Sequence, residues 1–158
     1  MSTSETGAGL AAALRAQAEA FAAFIESLDD ARFHAPPGPD DWSAAELAGH
    51  VSEFPVTFAH QVVALAAAPG MRIHREPTDP GRLAAIARLG GAGPRQAAAI
   101  VRGAAEEAAA LILGLDEPAW AVTGVRPDGE VVTAKLLVER YAIGHLVMHL
   151  AQAEAAAG

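Results

Sequence analysis

The chain has 158 residues, of which 52% are hydrophobic and only 5% aromatic, because alanine supplies much of the apolar content. Alanine is the best intrinsic helix former and a chain of this length can bury about two-thirds of its unfolded surface, so we expect one all-α domain over residues 1–158. The formal charge of -8 and the scattered basic residues provide no positively charged surface that would bind the phosphate backbone of a nucleic acid. The lack of cysteine excludes disulfides, thiolate metal sites and a cysteine nucleophile.

The sequence predicts a cytoplasmic protein that binds neither nucleic acid nor membranes. No basic segment precedes the first apolar residues, as a secretion signal would require. The uncharged apolar stretch from Tyr141 to Ala151 is too short to cross a bilayer.

The first helix is predicted from about Glu5 to Asp30, where leucine, phenylalanine and isoleucine recur at helical spacing. The segment HAPPGPDDW then breaks the chain with three prolines and a glycine. Ser43, followed by Glu46 three residues later, makes a capping box in which each side chain accepts from the other's backbone amide. The second helix is therefore predicted to begin at Trp42 or Ser43.

This second helix is predicted to run to about Ala67, with Pro55 kinking it rather than ending it. The segment PGMRIHREPTDPG is predicted to be a loop, with a short helix over RLAAIARL after it. Pro94 is typical of a first helical turn, so the third helix is predicted from there to about Gly114.

The segment AWAVTGVRPDGEVVT differs from its surroundings, because valines and threonines flank the turn signal Pro127-Asp128-Gly129. It predicts a short hairpin or an extended loop. The fourth helix is then predicted from about Thr133 to Ala156. Four helices of this length favour a four-helix bundle, in which the long loop between the second and third helices permits a crossover connection.

Two histidines, His145 and His149, lie four residues apart in the apolar fourth helix. At this spacing the side chains share a helix face, about 5 to 6 Å apart at Cβ, and can converge on one metal ion. The alternative is a pair of core histidines hydrogen-bonded to neighbours. A zinc protease is disfavoured, because the glutamate of H-E-x-x-H is missing from HLVMH.

A third ligand must come from another helix, and His50 is placed for it among the apolar residues of the second helix. Glu53 could be a fourth ligand, a group that orients a ligand, or a solvated charge. Thr57 and Gln61 follow His50 nearly on one line and are candidate groups at the border of a site above the metal.

Tyr141 lies one turn before His145 and is a candidate hydroxyl donor to a substrate, with a core tyrosine as the alternative. Gln152, just under one turn after His149, has the same two interpretations. His34 and His74 lie in proline-rich segments and are predicted to be solvated. His60 is about a quarter turn off the His50 line and is excluded from the site.

These residues resemble the DinB/YfiT-like superfamily of four-helix-bundle metalloenzymes, which includes bacillithiol S-transferases and the N-terminal domain of mycothiol-dependent maleylpyruvate isomerase. WSAAELAGHVSEF is similar to the family's W-[ST]-x-x-E-x-x-x-H segment, and VVTAKLLVERYAIGHLVMHLAQ is similar to its last helix. His50, His145 and His149 match the family's metal triad one for one. Pro55 departs from the pattern, as does the lack of the isomerases' additional C-terminal domain, so the resemblance does not imply that isomerase activity.

The resemblance implies a divalent-metal enzyme that activates a low-molecular-weight thiol, such as mycothiol, bacillithiol or glutathione, or water, for transfer to a small electrophile. Three histidine ligands leave a position open for such chemistry. Zinc is the expected metal because imidazole suits it, with nickel or manganese as alternatives. Two other interpretations remain: a non-catalytic metal- or ligand-binding bundle, and a metal-free, stress-associated homodimer whose alanine-rich helix faces pair. Homodimers are expected from the resemblance as well.

Overall fold

The computed structural model describes residues 4–74 and 78–158 of the chain. In chain order these contain α1 (Glu5–Glu26), α2 (Asp30–His34), α3 (Ala44–Ala67), α4 (Pro80–Arg88), α5 (Pro94–Leu113), a 3-10 helix (Glu117–Ala121), β1 (Thr123–Val125), β2 (Val131–Thr133), α6 (Ala134–Leu137), a π-helical turn (Val138–Ile143) and α7 (Gly144–Ala157). α6, the π turn and α7 follow one another without a break and form one long last helix.

A four-helix bundle is built by α1, α3, α5 and the last helix, so the predicted all-α architecture is confirmed. α1 and α3 each pack against both α5 and the last helix, which puts α1 and α3 at opposite corners of the bundle. α1 packs against α5, and both helices bury small side chains such as Ala18 and Ala105. Small residues let two helices approach closely, so the alanine content serves packing as well as helix propensity.

α1 is long and apolar enough to cross a membrane by length and composition alone. Its Leu14, Phe21 and Ile25 are, however, fully buried among the other helices. Burial in the bundle core accounts for the apolar character of α1.

α1 ends at Glu26 rather than at Asp30, so the predicted end was wrong. The cause is a capping signal inside the predicted helix: the Asp29 side chain accepts a hydrogen bond from the backbone N–H of Arg32 at 2.8 Å and starts α2. An aspartate favours a helix N-terminus over a helix interior, so the chain turns there.

α3 begins as predicted. The N–H of Ser43 donates to a carboxylate oxygen of Glu46 at 2.8 Å, and the N–H of Glu46 donates to the Ser43 hydroxyl at 3.2 Å, which completes the capping box. The helix continues through Pro55 to Ala67, so this proline does not end it, as predicted.

The connection between α3 and α5 contains the predicted short helix, which is α4. Before α4, the loop pairs with the hairpin: the N–H of Ile73 donates to the carbonyl of Val125 at 2.9 Å. The hairpin itself is confirmed, since β1 pairs antiparallel with β2 in the register Thr123 to Thr133. Gly129 has φ +87° in its turn, a conformation that glycine adopts without steric cost.

The last helix is not one regular α-helix, and this part of the prediction was wrong. Between α6 and α7 the backbone widens into the π turn, in which the N–H of Gly144 donates to the carbonyl of Glu139, five residues earlier. A π turn is in effect one extra residue inserted into an α-helix. His145 therefore follows directly on the widened turn.

Candidate metal centre

His50 is positioned by the start of α3. The capping box fixes the first turn, and His50 lies in the second turn with 2% of its surface exposed. The preceding residue, Gly49, contacts the backbone of α4 so closely that an added Cβ would lie 2.1 Å from the carbonyl oxygen of Ala85. The chain on either side of this imidazole is therefore tightly fixed.

His145 and His149 project from α7 toward His50, as predicted. The ring centroids of His145 and His149 are 4.8 Å apart, and those of His50 and His149 are also 4.8 Å apart. The ligand nitrogens of all three residues lie within 4.8 Å of one another, so the group could hold a metal ion. Zinc–imidazole bonds measure about 2.0 to 2.1 Å, which puts two tetrahedral ligand nitrogens about 3.4 Å apart, so a pair separated by 4.8 Å has to close by about 1.4 Å on binding.

One imidazole is already oriented for this role. Nδ1 of His149 lies 2.9 Å from Oε1 of Gln152, and because an amide oxygen can only accept, Nδ1 carries the proton. Nε2 of His149 then has its lone pair available. This atom is buried and has no hydrogen-bond partner among residues 4–74 and 78–158. In metal sites, a histidine ligand usually donates the proton of its other ring nitrogen to a polar neighbour, as His149 does to Gln152 here. The residues therefore fit a divalent metal.

The electrostatic surroundings keep His149 neutral. Burial lowers its pKa below the ordinary 6.5, the hydrogen bond with Gln152 opposes that shift, and the positive charge of Arg82 lowers the pKa further. The neutral imidazole is the form that binds metals.

Aromatic rings enclose the three histidines. Trp42 contacts His50 at 5.3 Å and His149 at 6.3 Å between centroids, and Phe54 stacks on His145 at 3.9 Å with an angle of 11° between the planes. These rings limit the rotation of the imidazoles and lower the local dielectric, which strengthens electrostatic interactions inside the site.

Of the three pocket candidates, Thr57 and Gln61 follow His50 on α3, and Tyr141 precedes His145 in the π turn of the last helix. Tyr141 stacks on Phe58 at 5.1 Å, and Phe58 contacts Phe54, so two phenyl rings connect the phenol to His145. The Tyr141 hydroxyl is buried and has no hydrogen-bond partner among the residues that the structure describes.

The other two candidates make hydrogen bonds within the protein. The Thr57 hydroxyl donates to Oε1 of Glu53 at 2.5 Å, and Nε2 of Gln61 donates to the carbonyl of His74 at 3.2 Å. The group of convergent ligand atoms contains the three histidines and not Glu53.

The remaining histidines lie outside the centre. His60 is exposed on α3 and His74 is exposed in the following loop, as expected. His34 is not simply solvated, and that prediction was wrong: it ends α2, is half-buried, and its Nε2 lies 2.9 Å from the carbonyl oxygen of Ala92.

Sequence reasoning missed how three residues contribute to the centre. Trp42 was assigned only to the helix start, although it also contacts two of the imidazoles. Gln152 orients His149, for which its spacing of three residues on one helix was an available signal. Arg82, whose guanidinium carbon lies 5.3 Å from the Trp42 ring centroid, comes from α4 and carries no signal in the sequence.

Comparison with known proteins identifies the family. The sequence profile of the DinB superfamily matches residues 13–153. The chain belongs to the DinB superfamily. This confirms the resemblance inferred from the two histidine segments. No match is found among curated proteins.

Solved structures of DinB-like proteins share the fold. YfiT from Bacillus subtilis, described as a probable metal-dependent hydrolase with an unusual four-helix bundle topology, has a TM-score of 0.67 at 16% identity, over 98% of this chain and 89% of that chain. Mycothiol-dependent maleylpyruvate isomerase has a TM-score of 0.69 at 15% identity, over 96% of this chain. A variant of that isomerase gives 0.68 at 14% identity. This chain spans 62% of the isomerase, and at these identities the likeness shows the fold alone.

Proposed function

We propose that this DinB superfamily member binds one divalent metal ion through His50, His145 and His149 and is a metal-dependent enzyme acting on a small electrophilic substrate. The observation that carries the proposal is the convergence of three imidazoles with their ligand nitrogens within 4.8 Å of one another, where Nε2 of His149 is buried and has no hydrogen-bond partner in the described part of the chain. Zinc is the metal we favour, with nickel or manganese as alternatives. A bound divalent ion would lower the pKa of a thiol or a water molecule and so supply a nucleophile.

The chain's own residues would prepare this chemistry in two ways. Gln152 holds the His149 proton on Nδ1 and keeps Nε2 turned toward the other imidazoles. Trp42 and Phe54 cover the centre with apolar surface and restrict the access of water. Three ligands leave at least one position for a reactant, as in catalytic rather than structural sites.

The pocket groups are part of the proposal. The Tyr141 hydroxyl is buried and makes no hydrogen bond within the described chain, and its role in the proposal is to donate to a substrate that reaches it. Thr57 and Gln61, which lie on α3 like Phe54 and Phe58, would line the same side. Each would contribute through contacts with the substrate rather than with the metal.

The nucleophile we favour is a low-molecular-weight thiol. The chain contains no cysteine, so a thiol has to come from outside, as mycothiol, bacillithiol or glutathione would. The fold is shared with a mycothiol-dependent isomerase and with a probable metal-dependent hydrolase, so water is the alternative nucleophile. We further propose that the protein acts in the cytoplasm, as one domain over residues 1–158, and as a homodimer that binds neither nucleic acid nor membranes.

A second candidate function is that of a non-catalytic bundle that binds a metal or another ligand, as a stress-associated dimer. It is favoured by the deep burial of His50 and His149, at 2% and 5% exposure, because a metal there would join α3 to α7. A closed coordination sphere would distinguish it from an enzyme, which needs an open position.

The first test is elemental analysis of the untagged protein, purified without chelator. We expect about one equivalent of zinc, nickel or manganese in the wild type, and loss of that metal in His145→Ala and His149→Ala. His60→Ala is the matched control, since this histidine is exposed on α3 and lies outside the centre. Metal in all four proteins, or in none after incubation with each ion, would contradict the proposal.

The second test separates an enzyme from a binding protein. The metal-loaded wild type is assayed with each thiol and a panel of small electrophiles, and for hydrolysis without thiol. We expect thiol transfer in the wild type and none in His149→Ala. Metal binding without either activity would favour the non-catalytic bundle.

A further inference from the structure

The hydroxyl of Tyr141 is closed in, although it bonds to nothing in the described part of the chain. Its Oη is buried and has no hydrogen-bond partner among residues 4–74 and 78–158. A buried polar atom of this kind is rare in native structures and calls for an explanation. A reactant can bond to this hydroxyl only after one of the groups that cover it moves away.

Three side chains contact the phenol ring. Phe58 of α3 stacks on it at 5.1 Å between centroids. The guanidinium carbon of Arg126 lies over the ring at 4.8 Å, and that of Arg140 at 5.7 Å. Phe58 is a core residue with 6% exposure, and Arg140 precedes Tyr141 on the same turn. Arg126, which belongs to the hairpin, is therefore the covering group with the most freedom to move.

Arg126 lies at the tip of the hairpin, which we define as residues 126–130. Inside the tip, the N–H of Arg126 donates to the carbonyl of Glu130 at 2.8 Å, and the N–H of Gly129 donates to the carbonyl of Arg126 at 2.9 Å. Pro127, Asp128 and Gly129 between them are exposed. A two-stranded hairpin has little stability of its own, so the position of the tip depends on its contacts with other elements.

The base of the hairpin is fixed, in contrast to the tip. Val132 of β2 is 1% exposed, and Val125 of β1 is bonded to the segment before α4, since its carbonyl accepts from the N–H of Ile73 at 2.9 Å and its N–H donates to the carbonyl of Met71 at 3.0 Å. A cavity of about 430 Å³ is lined by Pro127 of the tip and by residues 72–74. The tip therefore follows an anchored base and has space beside it.

Glu130 attaches the tip to the last helix. Nη1 of Arg140 donates to both carboxylate oxygens of Glu130, at 2.8 and 2.9 Å, and Nη1 of Arg126 lies 3.5 Å from the same carboxylate. One carboxylate thus holds both of the guanidinium groups that lie over Tyr141. The side chain of Glu130 is 38% exposed, so solvent screens these ion pairs in part and they can break and re-form.

We infer that the tip is a gate over Tyr141, which the ion pairs of Glu130 hold closed and which opens to admit a reactant to the phenol hydroxyl. The inference rests on the proposed function, because it takes Tyr141 to donate to a substrate. Opening breaks two partly exposed ion pairs and leaves the base of the hairpin intact, so the open state is a minor population of the folded protein. Glu130 is a positioning residue, since it acts through Arg126 and Arg140.

The test uses the metal-free protein and N-acetylimidazole, a small uncharged reagent that transfers its acetyl group to a phenol hydroxyl and releases imidazole. Tyr141 is the only tyrosine of the chain, so the loss of phenol absorbance reports this hydroxyl alone. Peptide mass spectrometry before and after hydroxylamine, which removes acetyl from tyrosine and not from lysine, confirms the position. When opening and closing are faster than acetylation, the rate is proportional to the open fraction.

We expect slow acetylation of Tyr141 in the wild type and a rate about fivefold higher in Glu130→Gln, within the range for the loss of two partly exposed ion pairs. High salt should raise the rate of the wild type, because it screens these pairs, and should leave that of the variant unchanged. Low concentrations of urea should hardly affect either rate, since opening of the tip exposes far less surface than global unfolding does.

Glu139→Gln is the matched control, because it removes a carboxylate from the π turn that pairs with Lys135 at 3.6 Å and not with the tip. It should keep the rate of the wild type. Equal rates in the wild type and Glu130→Gln, acetylation of neither protein, the same increase in Glu139→Gln, or a steep rise with urea would each overturn the gate.

These results are independent of those that test the proposed function, because acetylation requires neither metal nor substrate. Acetylation as expected, in a protein that binds no metal, would support the gate and contradict the proposed function. Metal bound by the three histidines, with equal acetylation rates in the wild type and Glu130→Gln, would contradict the gate alone.

Discussion

Gly49 shows how one missing side chain can position a site. It is the residue before His50, and an added Cβ would lie 2.1 Å from the carbonyl oxygen of Ala85 and 2.9 Å from that of Ile86. Both of these are backbone atoms of α4, which cannot rotate away as a side chain would. Only a glycine allows α4 to lie against α3 at this point.

We therefore expect Gly49→Ala to lower the free energy of unfolding by about 1 to 3 kcal/mol, the usual cost of overpacking. Gly103→Ala on α5 is the control, because no atom lies within 4 Å of its added Cβ. That variant should gain about 0.5 to 1 kcal/mol from helix propensity. Urea denaturation of both variants checks the difference, and equal changes would contradict the close contact.

In the metal-free protein, the lowered pKa of His149 makes the free energy of unfolding fall as the pH falls. Burial holds its pKa below the ordinary 6.5 in the folded state, so the unfolded state takes up a proton at higher pH than the folded state does. The stabilisation from a neutral His149 is complete above about pH 6.5 and is lost as the pH falls through the lower folded pKa.

With chelator present, the wild type should lose stability between pH 7 and 5 more steeply than His149→Gln. The carboxylates with lowered pKa values, such as Glu26 and Glu106, lose their stabilisation mainly below their ordinary 4.5, and they do so equally in both proteins. Denaturation at a series of pH values measures the two slopes. Parallel slopes would show that this imidazole keeps its ordinary pKa.

The positions of the ligand histidines could be predicted from the sequence, whereas those of the residues around them could not. A spacing of four residues puts His145 and His149 on one face of any helix, whatever packs against it. Gly49 and Arg82 depend instead on where α4 lies, which no local pattern encodes. His34 was misassigned for the same reason, since its acceptor, the carbonyl of Ala92, is distant in sequence.

Among the elements, the π turn in the last helix has the most direct bearing on the site. It spans Val138–Ile143 and ends immediately before α7. One extra residue rotates everything that follows by about 100° relative to α6, because an α-helix turns by that angle per residue. The faces presented by His145 and His149 are thus set by this turn.

Deleting Glu139, an exposed residue of the turn, should convert it to regular α-helix and turn the two histidines away from His50. We expect metal affinity to fall at least tenfold, while circular dichroism still shows a helical protein. Glu139→Ala is the control, because it keeps the residue count and should keep the affinity. Unchanged metal affinity in the deletion variant would mean that the turn does not set the ligand positions.

The limits of the helices could largely be predicted, because capping residues and prolines act locally. Ser43 with Glu46 fixed the start of α3, and Pro94 the start of α5. The π turn could not be predicted, since VERYAI keeps the apolar spacing of an ordinary helix. Its geometry follows from tertiary packing at both ends of the last helix.

In the whole molecule, a metal bound at the centre would link α3 to α7, two helices that are far apart in the sequence. A ligand that binds only the folded state adds stability according to its concentration, about 2.7 kcal/mol at a hundred times its dissociation constant. Metal removal by chelator should therefore lower the melting temperature of the wild type. The change should be absent in His50→Ala and present in His60→Ala, as followed by calorimetry with and without zinc.

The bundle itself could be predicted from periodic apolar residues, but its arrangement could not. α1 and α3 are consecutive long helices, yet they occupy opposite corners, each packed against α5 and the last helix. Connections as long as those here place no constraint on which helices become neighbours. The convergence of His50 with the α7 pair depends on that arrangement.

The distribution of the ligands along the chain also orders events during synthesis. His50 precedes its partners on α7 by about 95 residues. Since a growing chain emerges N-terminus first, α1, α3 and α5 are available to fold before the ligands on α7 exist. The proposed three-histidine site would therefore be complete only once α7 has emerged, and a chain that stops before α7 would lack two of its three ligands.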